Sequence, residues 1–341
     1  MNGSGETWWY RAGLSVRAER VFDRVSVAFV VLLTSAWAYA IGMERAIGDK
    51  VNLVTPATAA VVSALSDRGS ATAAYVTDAI TDAVARLPAD DLGQSGKLRA
   101  VIQRGRRPGI VSAIVSLGQA LKPLADFNFI TLHPASDIHN GRIGLYYIGR
   151  WPAARMAKGG QVDYSPPSGF IEVTPSSAKT RLSEHFVVGD FLTHDQRSVW
   201  PKYVVINLNL IDKLELVLDD LQAHGIDPAG VHVMSGFRTP QYNAGGGDPR
   251  GRAGLSRHMY GDAADIYIDN DGDGSMDDLT HDGRVDIADA RVVLAAVERV
   301  ERAHPSLVGG CGVYAATSAH GPFVHIDTRG YPARWVGTGD N

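Results

Sequence analysis

The chain is almost without cysteine. Cys311 stands alone in 341 residues, which excludes an internal disulfide framework and a cysteine-based metal site. A lone cysteine of this kind reads as a small buried hydrophobe. Charge of one sign is also lacking. Lys and Arg total 33 against 37 for Asp and Glu, a formal charge of -4, so nothing draws the chain as a whole toward nucleic acid. No long internal repeat is present. Long hydrophobic runs are missing too, with one exception near the start. Hydrophobic residues still make up 45% of the chain, enough for a folded protein with a real core. The length leaves room for more than one globular unit.

The exception is Val25 to Met43, nineteen residues without a charge, close to the roughly 20 needed to cross a bilayer. Arg11, Arg17, Arg20 and Arg24 precede it. The positive-inside rule keeps residues 1–24 as a cytoplasmic tail and exports the chain beyond the run. The run therefore predicts an uncleaved transmembrane signal-anchor over 25–43, in an inner membrane, with the remainder periplasmic or otherwise extracytoplasmic. A cleavable signal peptide is the competing view, because Ala38-Tyr39-Ala40 fits a small-residue cleavage site. That route would end in secretion.

Residues 44–125 are rich in Ala, Val, Ser and Thr. Thr77, Ile80, Val84 and Leu87 sit at helical spacing, and the segment reads as a helical stalk. Arg104-Gly105-Arg106-Arg107-Pro108 reads as a solvated basic turn. Residues 126–182 change character. Gly141 to Trp151 alternates and is aromatic, and Pro152, Pro166, Pro167 and Pro175 punctuate the rest, so this stretch reads as a small β-rich module or as an extended lead-in wrapped on the next domain. Residues 183–341 read as an α+β domain. Its expected helices are 203–223, with Leu210, Ile211, Leu214, Val217, Leu218 and Leu221 on one face, and 288–303. Its expected strands are 231–234, 264–268 and 323–328.

The chemistry concentrates in this last part. Ser256-Arg257-His258 is followed seven residues after the histidine by Asp265, at the start of a strand, and sixty residues later by His325 in Phe323-Val324-His325-Ile326-Asp327. Two imidazoles and one carboxylate are the protein ligands of a catalytic zinc, whose fourth position stays open for water. That set points to a hydrolytic metalloenzyme. Alternation along a strand puts Phe323, His325 and Asp327 on one face. Asp327 then lies close enough to orient a ligand or the attacking water.

Between the two histidines lies an acidic insert, 269–289. Asp269, Asp271 and Asp273 occupy positions 1, 3 and 5 of an EF-hand-like loop with Gly274 at position 6, though position 12 is Thr280. A second frame places Asp278, Thr280, Asp282, Gly283, Asp286 and Asp289 at positions 1, 3, 5, 6, 9 and 12, followed by a helix. Hard oxygen ligands at this density favour calcium over zinc. A solvated acidic loop is the alternative.

Four pieces occur in order: Ser183-Glu184-His185-Phe186 with Asp190-Phe191-Leu192, Ser235-Gly236-Phe237-Arg238-Thr239-Pro240 with Asn243, the His258/Asp265 box, and Val324-His325-Ile326-Asp327 with Arg329-Gly330. Together they resemble the zinc D-alanyl-D-alanine carboxypeptidases and murein endopeptidases, the hedgehog-like LAS metallopeptidases, over roughly residues 183–335. The resemblance implies a hedgehog-like fold, an antiparallel sheet with flanking helices. It makes His258, Asp265 and His325 the zinc ligands and puts Arg238 and Ser256 against the substrate. One branch of the family carries a Glu three residues before the last ligand histidine. Pro322 stands there, so proton handling falls to Asp327 or His320, and the resemblance moves toward the endopeptidase-like branch. The implied protein is an exported peptidase cleaving peptidoglycan stem or crosslink peptides, bound to the membrane by one helix. A D-Ala-D-Ala carboxypeptidase and a non-catalytic, calcium-dependent wall-binding or scaffold protein are the alternatives.

Overall fold

The computed structural model describes residues 93–104, 108–116, 123–152, 164–245 and 253–337. The expected tail, membrane run and stalk up to residue 92 lie outside the described residues. No helix among the described residues is long and apolar enough to cross a membrane.

The first sheet is built around one long strand. β1 (Ala100–Arg104), β2 (Gly109–Ser116) and β3 (Pro123–Pro134) come first, followed by a small ribbon, β4 (Arg142–Ile143) with β5 (Tyr146–Tyr147). β6 (Gly169–Val173) and β7 (Lys202–Val204) complete the sheet. β3 pairs in parallel with β1 and antiparallel with β2 and β6, and β6 carries β7. The helix α1 (Leu208–Ala223) follows. The second sheet contains β8 (Val231–Ser235), β9 (Ala263–Ile268), β10 (Gly310–Tyr314), β11 (Phe323–Asp327) and β12 (Ala333–Gly337), in the order β12-β10-β11-β9-β8. A short helix α2 (Pro240–Gly245) leaves β8, and the long helix α3 (Ile287–Ala303) links the acidic insert to β10.

Three expectations are corrected here. The described part of the supposed helical stalk holds strands and no helix: β1, β2 and the start of β3 lie within 44–125. The sequences AVIQR and GIVSAIVS are rich in β-branched Val and Ile, which favour a pleated sheet. Residues 126–182 are no separate module. β6 pairs with β7 from the following segment, and Phe170, Ile171 and Val173 share one core with Leu214 and Ile266. The helix expected from 203 starts at Leu208 instead. Lys202–Val204 is pinned to β6, and Asn207 caps the helix by accepting the Asn209 N–H.

α1 explains how the core is held. Its stripe of Leu210, Ile211, Leu214, Val217, Leu218 and Leu221 is fully buried, so Leu214→Ala would cost about 2–5 kcal/mol. The helix ends at His224, with Gly225 at a φ of 85° as the left-handed residue beyond the cap. Three buried polar residues fix α1 to distant segments. Asp212 accepts the N–H groups of Gln94 and Ser95 at 2.6 and 2.8 Å. Glu215 accepts both the N–H and the Nδ1–H of His185 at 2.8 Å. Lys213 donates to Glu301 and to the Asp327 carbonyl, both at 2.7 Å. Burial lowers the Lys213 pKa, and the Glu301 carboxylate works against that shift.

Candidate metal centre

Strand register assembles the site. β9 and β11 run antiparallel with His325 directly opposite Asp265, and β8 places Ser235 on the other side of Asp265. His258 comes from a single 3-10 turn, Arg257–Tyr260, just before β9. Gly261 closes that turn with a φ of 73°. A Cβ there would stand 2.4 Å from the Val205 carbonyl oxygen, so only glycine fits.

The three side chains converge through one atom each. His258 Nε2 lies 3.2 Å from Asp265 Oδ1 and 3.1 Å from His325 Nδ1. His325 Nδ1 lies 2.8 Å from Asp265 Oδ1. Bonds of about 2.0–2.1 Å in a tetrahedral zinc site hold ligand atoms about 3.3 Å apart, so the observed triangle matches a preformed cation site. This His-Asp-His group is buried.

The outer atoms of each ligand are already occupied. His258 Nδ1–H donates to the Gly236 carbonyl at 2.7 Å. His325 Nε2–H donates to Asp327 Oδ2 at 3.1 Å. Arg238 donates through Nη2 to Asp265 Oδ2 at 2.5 Å and through Nε to Ser235 Oγ at 2.8 Å. Each outer hydrogen bond leaves the inward lone pair as the free one, which is how metal-binding histidines and carboxylates are usually aimed. Two imidazole lone pairs facing each other at this distance repel unless a proton or a cation sits between them. The donor set therefore fits a divalent metal that accepts imidazole.

Electrostatics follow from the same contacts. Burial drives the His258 imidazole down to about 4. Burial also pushes His325 down, but its bonds to Asp265 and Asp327 outweigh that and leave it above its ordinary value. Burial raises the Asp265 carboxyl, and His258, Arg238 and His325 reverse the shift, so it stays ionised.

Asp327 does not face the cleft. It is fully buried behind the His325 ring. Its Oδ1 accepts the N–H groups of Gly310 and Arg329 at 2.7 and 3.0 Å. The Arg329 guanidinium grips both of its oxygens. Every acceptor on this carboxylate is in use, so the expected role in proton handling gives way to a fixed role behind His325.

The site opens into a cleft of about 650 Å³. His320 and Ser256 both line it. His320 donates through Nδ1 to the Gly321 carbonyl at 2.8 Å, which leaves Nε2 as its acceptor. Arg238, Arg257 and Arg329 line the cleft as well, and each is bonded to a carboxylate: Asp265, Asp262 and Asp327 respectively. Sequence reasoning missed Tyr314 and Trp335 on the wall. Alternation along β10 from Gly312, the partner of His325, would have pointed to Tyr314. Nothing in the sequence pointed to Trp335.

The acidic insert is organised in part. The carboxylates of Asp269, Asp271 and Asp273 lie together, one ligand atom from each within 4.8 Å of the others. The second frame does not gather among the described residues. Asp286 caps α3 by accepting the Ala288 N–H, and Asp289 accepts the N–H groups of Asp286 and Thr280. Asp278 accepts from Asp282 and Gly283, and Asp282 from Arg284. These oxygens cap a helix and close turns, and they do not converge on one point as those of the first frame do.

No protein-family model matches this chain, and neither a curated protein nor a solved structure matches it.

Proposed function

We propose that the chain is an exported, zinc-dependent peptidase of the hedgehog-like class, anchored by the run at 25–43 and cleaving internal amides of peptidoglycan crosslink peptides. One observation carries the reading. Three inward-aimed ligand atoms, from His258, Asp265 and His325, meet at the base of an open cleft with their outer atoms already held.

A zinc ion held by these three residues would supply Lewis acidity and a water pKa lowered to about 7. The chain supplies the rest. Gly236 and Asp327 fix the two imidazole tautomers, and Arg238 holds Asp265 to single-oxygen binding. His320 accepts a proton at Nε2 from the attacking water and returns it to the departing amine. Arg238 stands on the cleft wall beside the ligands, tied to Asp265 and Ser235.

The pairing of the cations favours an internal bond. Among the described residues, every guanidinium on the cleft wall is already paired, so the free carboxylate of a terminal D-Ala finds no unpaired guanidinium. A crosslink amide needs none. Calcium is the second assignment, at Asp269, Asp271 and Asp273, where it would hold the insert beside the site.

Muropeptide chromatography tests the reading. The full chain in detergent is incubated with peptidoglycan, with and without a zinc chelator, beside His325→Ala. Loss of crosslinked dimers, abolished by the chelator and the substitution, is the expected result. Release of terminal D-Ala alone would make the protein a carboxypeptidase. An unchanged profile from zinc-loaded protein would overturn hydrolysis and favour a wall-binding protein.

A further inference from the structure

Sheet alternation places a phenol on the same sheet face as His325, in the wall of the cleft. Gly312 on β10 pairs with His325 on β11 and with Trp335 on β12. Tyr314 is two residues along β10, so it stands on the same sheet face as the ligands. It is paired with Phe323, and the two rings stack at 4.4 Å with planes 5° apart. The Trp335 ring sits 5.2 Å from the His325 ring and donates Nε1–H to the Tyr314 hydroxyl oxygen at 2.9 Å. Both rings line the cleft.

Two glycines make these positions available. A Cβ on Gly312 would stand 2.2 Å from the Trp335 indole, and one on Gly337 would stand 2.1 Å from the Tyr314 ring. Each aromatic therefore lies flat on bare backbone. This packing fixes where the hydroxyl goes. The Tyr314 oxygen accepts from Trp335, so its own proton has to be donated elsewhere, and the wall it stands on faces the cleft. A phenol, with an ordinary pKa of about 10, carries that proton at neutral pH.

We propose that Tyr314, seated on Gly337 and oriented by Trp335, is a further catalytic residue that donates its hydroxyl hydrogen bond to the carbonyl oxygen of the amide under attack. The inference rests on the peptidase reading of the site. Negative charge grows on that oxygen as water adds, and a preset donor favours the charged form over the neutral carbonyl. No proton leaves the phenol, so the hydrogen bond strengthens and then relaxes within each turnover. The same wall packs an apolar portion of the substrate against Phe323 and Trp335, so removing only the hydroxyl should spare binding.

The test compares the full-length wild type with Tyr314→Phe, which keeps the ring stack. Turnover of a soluble crosslinked muropeptide dimer is measured beside binding of a dipeptide phosphinate, whose tetrahedral oxygens mimic the attacked carbonyl. The expected result is a fall in kcat of about 100-fold, the range for losing one such donor, with KM changed by less than about threefold. Phosphinate affinity should fall at least about tenfold, while zinc content and melting temperature stay at wild-type values. Trp335→Phe, which deletes the orienting donor, should reproduce part of the kcat loss. An active wild type with an equally active Tyr314→Phe variant would overturn the Tyr314 assignment alone. A zinc-loaded wild type that neither cleaves the dimer nor binds the phosphinate would overturn the peptidase reading, and the Tyr314 role with it.

Discussion

Two groups of side chains able to hold a metal ion centre on Asp265, in β9, and Asp269, just past its end, and they are built in opposite ways. At Asp265 the ligand atoms are buried, and their outer partners are other side chains or carbonyls that aim them inward. At Asp269 the neighbouring carboxylates of Asp271 and Asp273 are exposed. There the Asp269 oxygens already accept the backbone N–H groups of Gly272, Asp273 and Gly274 at 2.7–3.1 Å. The first site turns its inner atoms only toward one another, whereas the second folds around its own backbone. A site of the first kind is costly to leave without a cation, because buried polar atoms need partners. One of the second kind is stable as a turn and gains from a cation only what repulsion among its carboxylates costs.

That contrast can be broken at its strongest point by His325→Ala. If the proposed zinc sits there, loss of one ligand should weaken its binding by more than the ~100-fold that bounds outer-shell changes. Metal analysis after dialysis reads the effect, and the insert's response to calcium should not move. Asp327→Asn comes next. It keeps the shape but offers His325 Nε2 an amide in place of a carboxylate, so zinc affinity should fall about 10–100-fold by competition with a chromophoric chelator. An unchanged affinity would reduce Asp327 to a packing residue.

The insert should respond on a smaller scale. Calcium at about ten times its Kd should raise the melting temperature by roughly 3–6 °C. The rise should vanish in Asp271→Asn and persist in His325→Ala. No rise in the wild type would identify the insert as a solvated acidic loop. The smallest effect concerns acid. Burial raises the Asp278 carboxyl, and the N–H groups of Gly283 and Asp282 with the Thr280 hydroxyl together outweigh it, holding the folded value below 3.8. A depressed carboxylate contributes stability above its unfolded pKa and loses it as pH falls through the folded one. Urea midpoints of Asp278→Asn should thus lie below wild type at about pH 7, and the gap should close as pH falls below the ordinary carboxylate range.

Much of the site was legible because ligands are individual residues with fixed spacing. His258, Asp265 and His325 stand out as types, and period-two alternation placed Asp327 beside His325, where it lies. What alternation could not supply was direction. Asp327 looked available for proton transfer until Gly310 and Arg329, brought in by the β10 start and the turn after β11, occupied its oxygens. The long helices were readable from their apolar stripes. The strands at 100–116 were not, because Val and Ile fit either pattern until a partner strand exists.

The sequence by itself determined the chemical inventory: two histidines and one aspartate for a cation, one cysteine and therefore no disulfide framework, and a dense run of aspartates. Tertiary structure alone decided which atoms of those residues face one another. The β9–β11 register set His325 against Asp265. Lys213 on α1 reached the Asp327 carbonyl 114 residues away. Bare glycine backbone let Trp335 and Tyr314 lie in the cleft wall. These are non-local pairings, fixed by shape and by the need to satisfy buried polar atoms, and no local window of sequence carries that information.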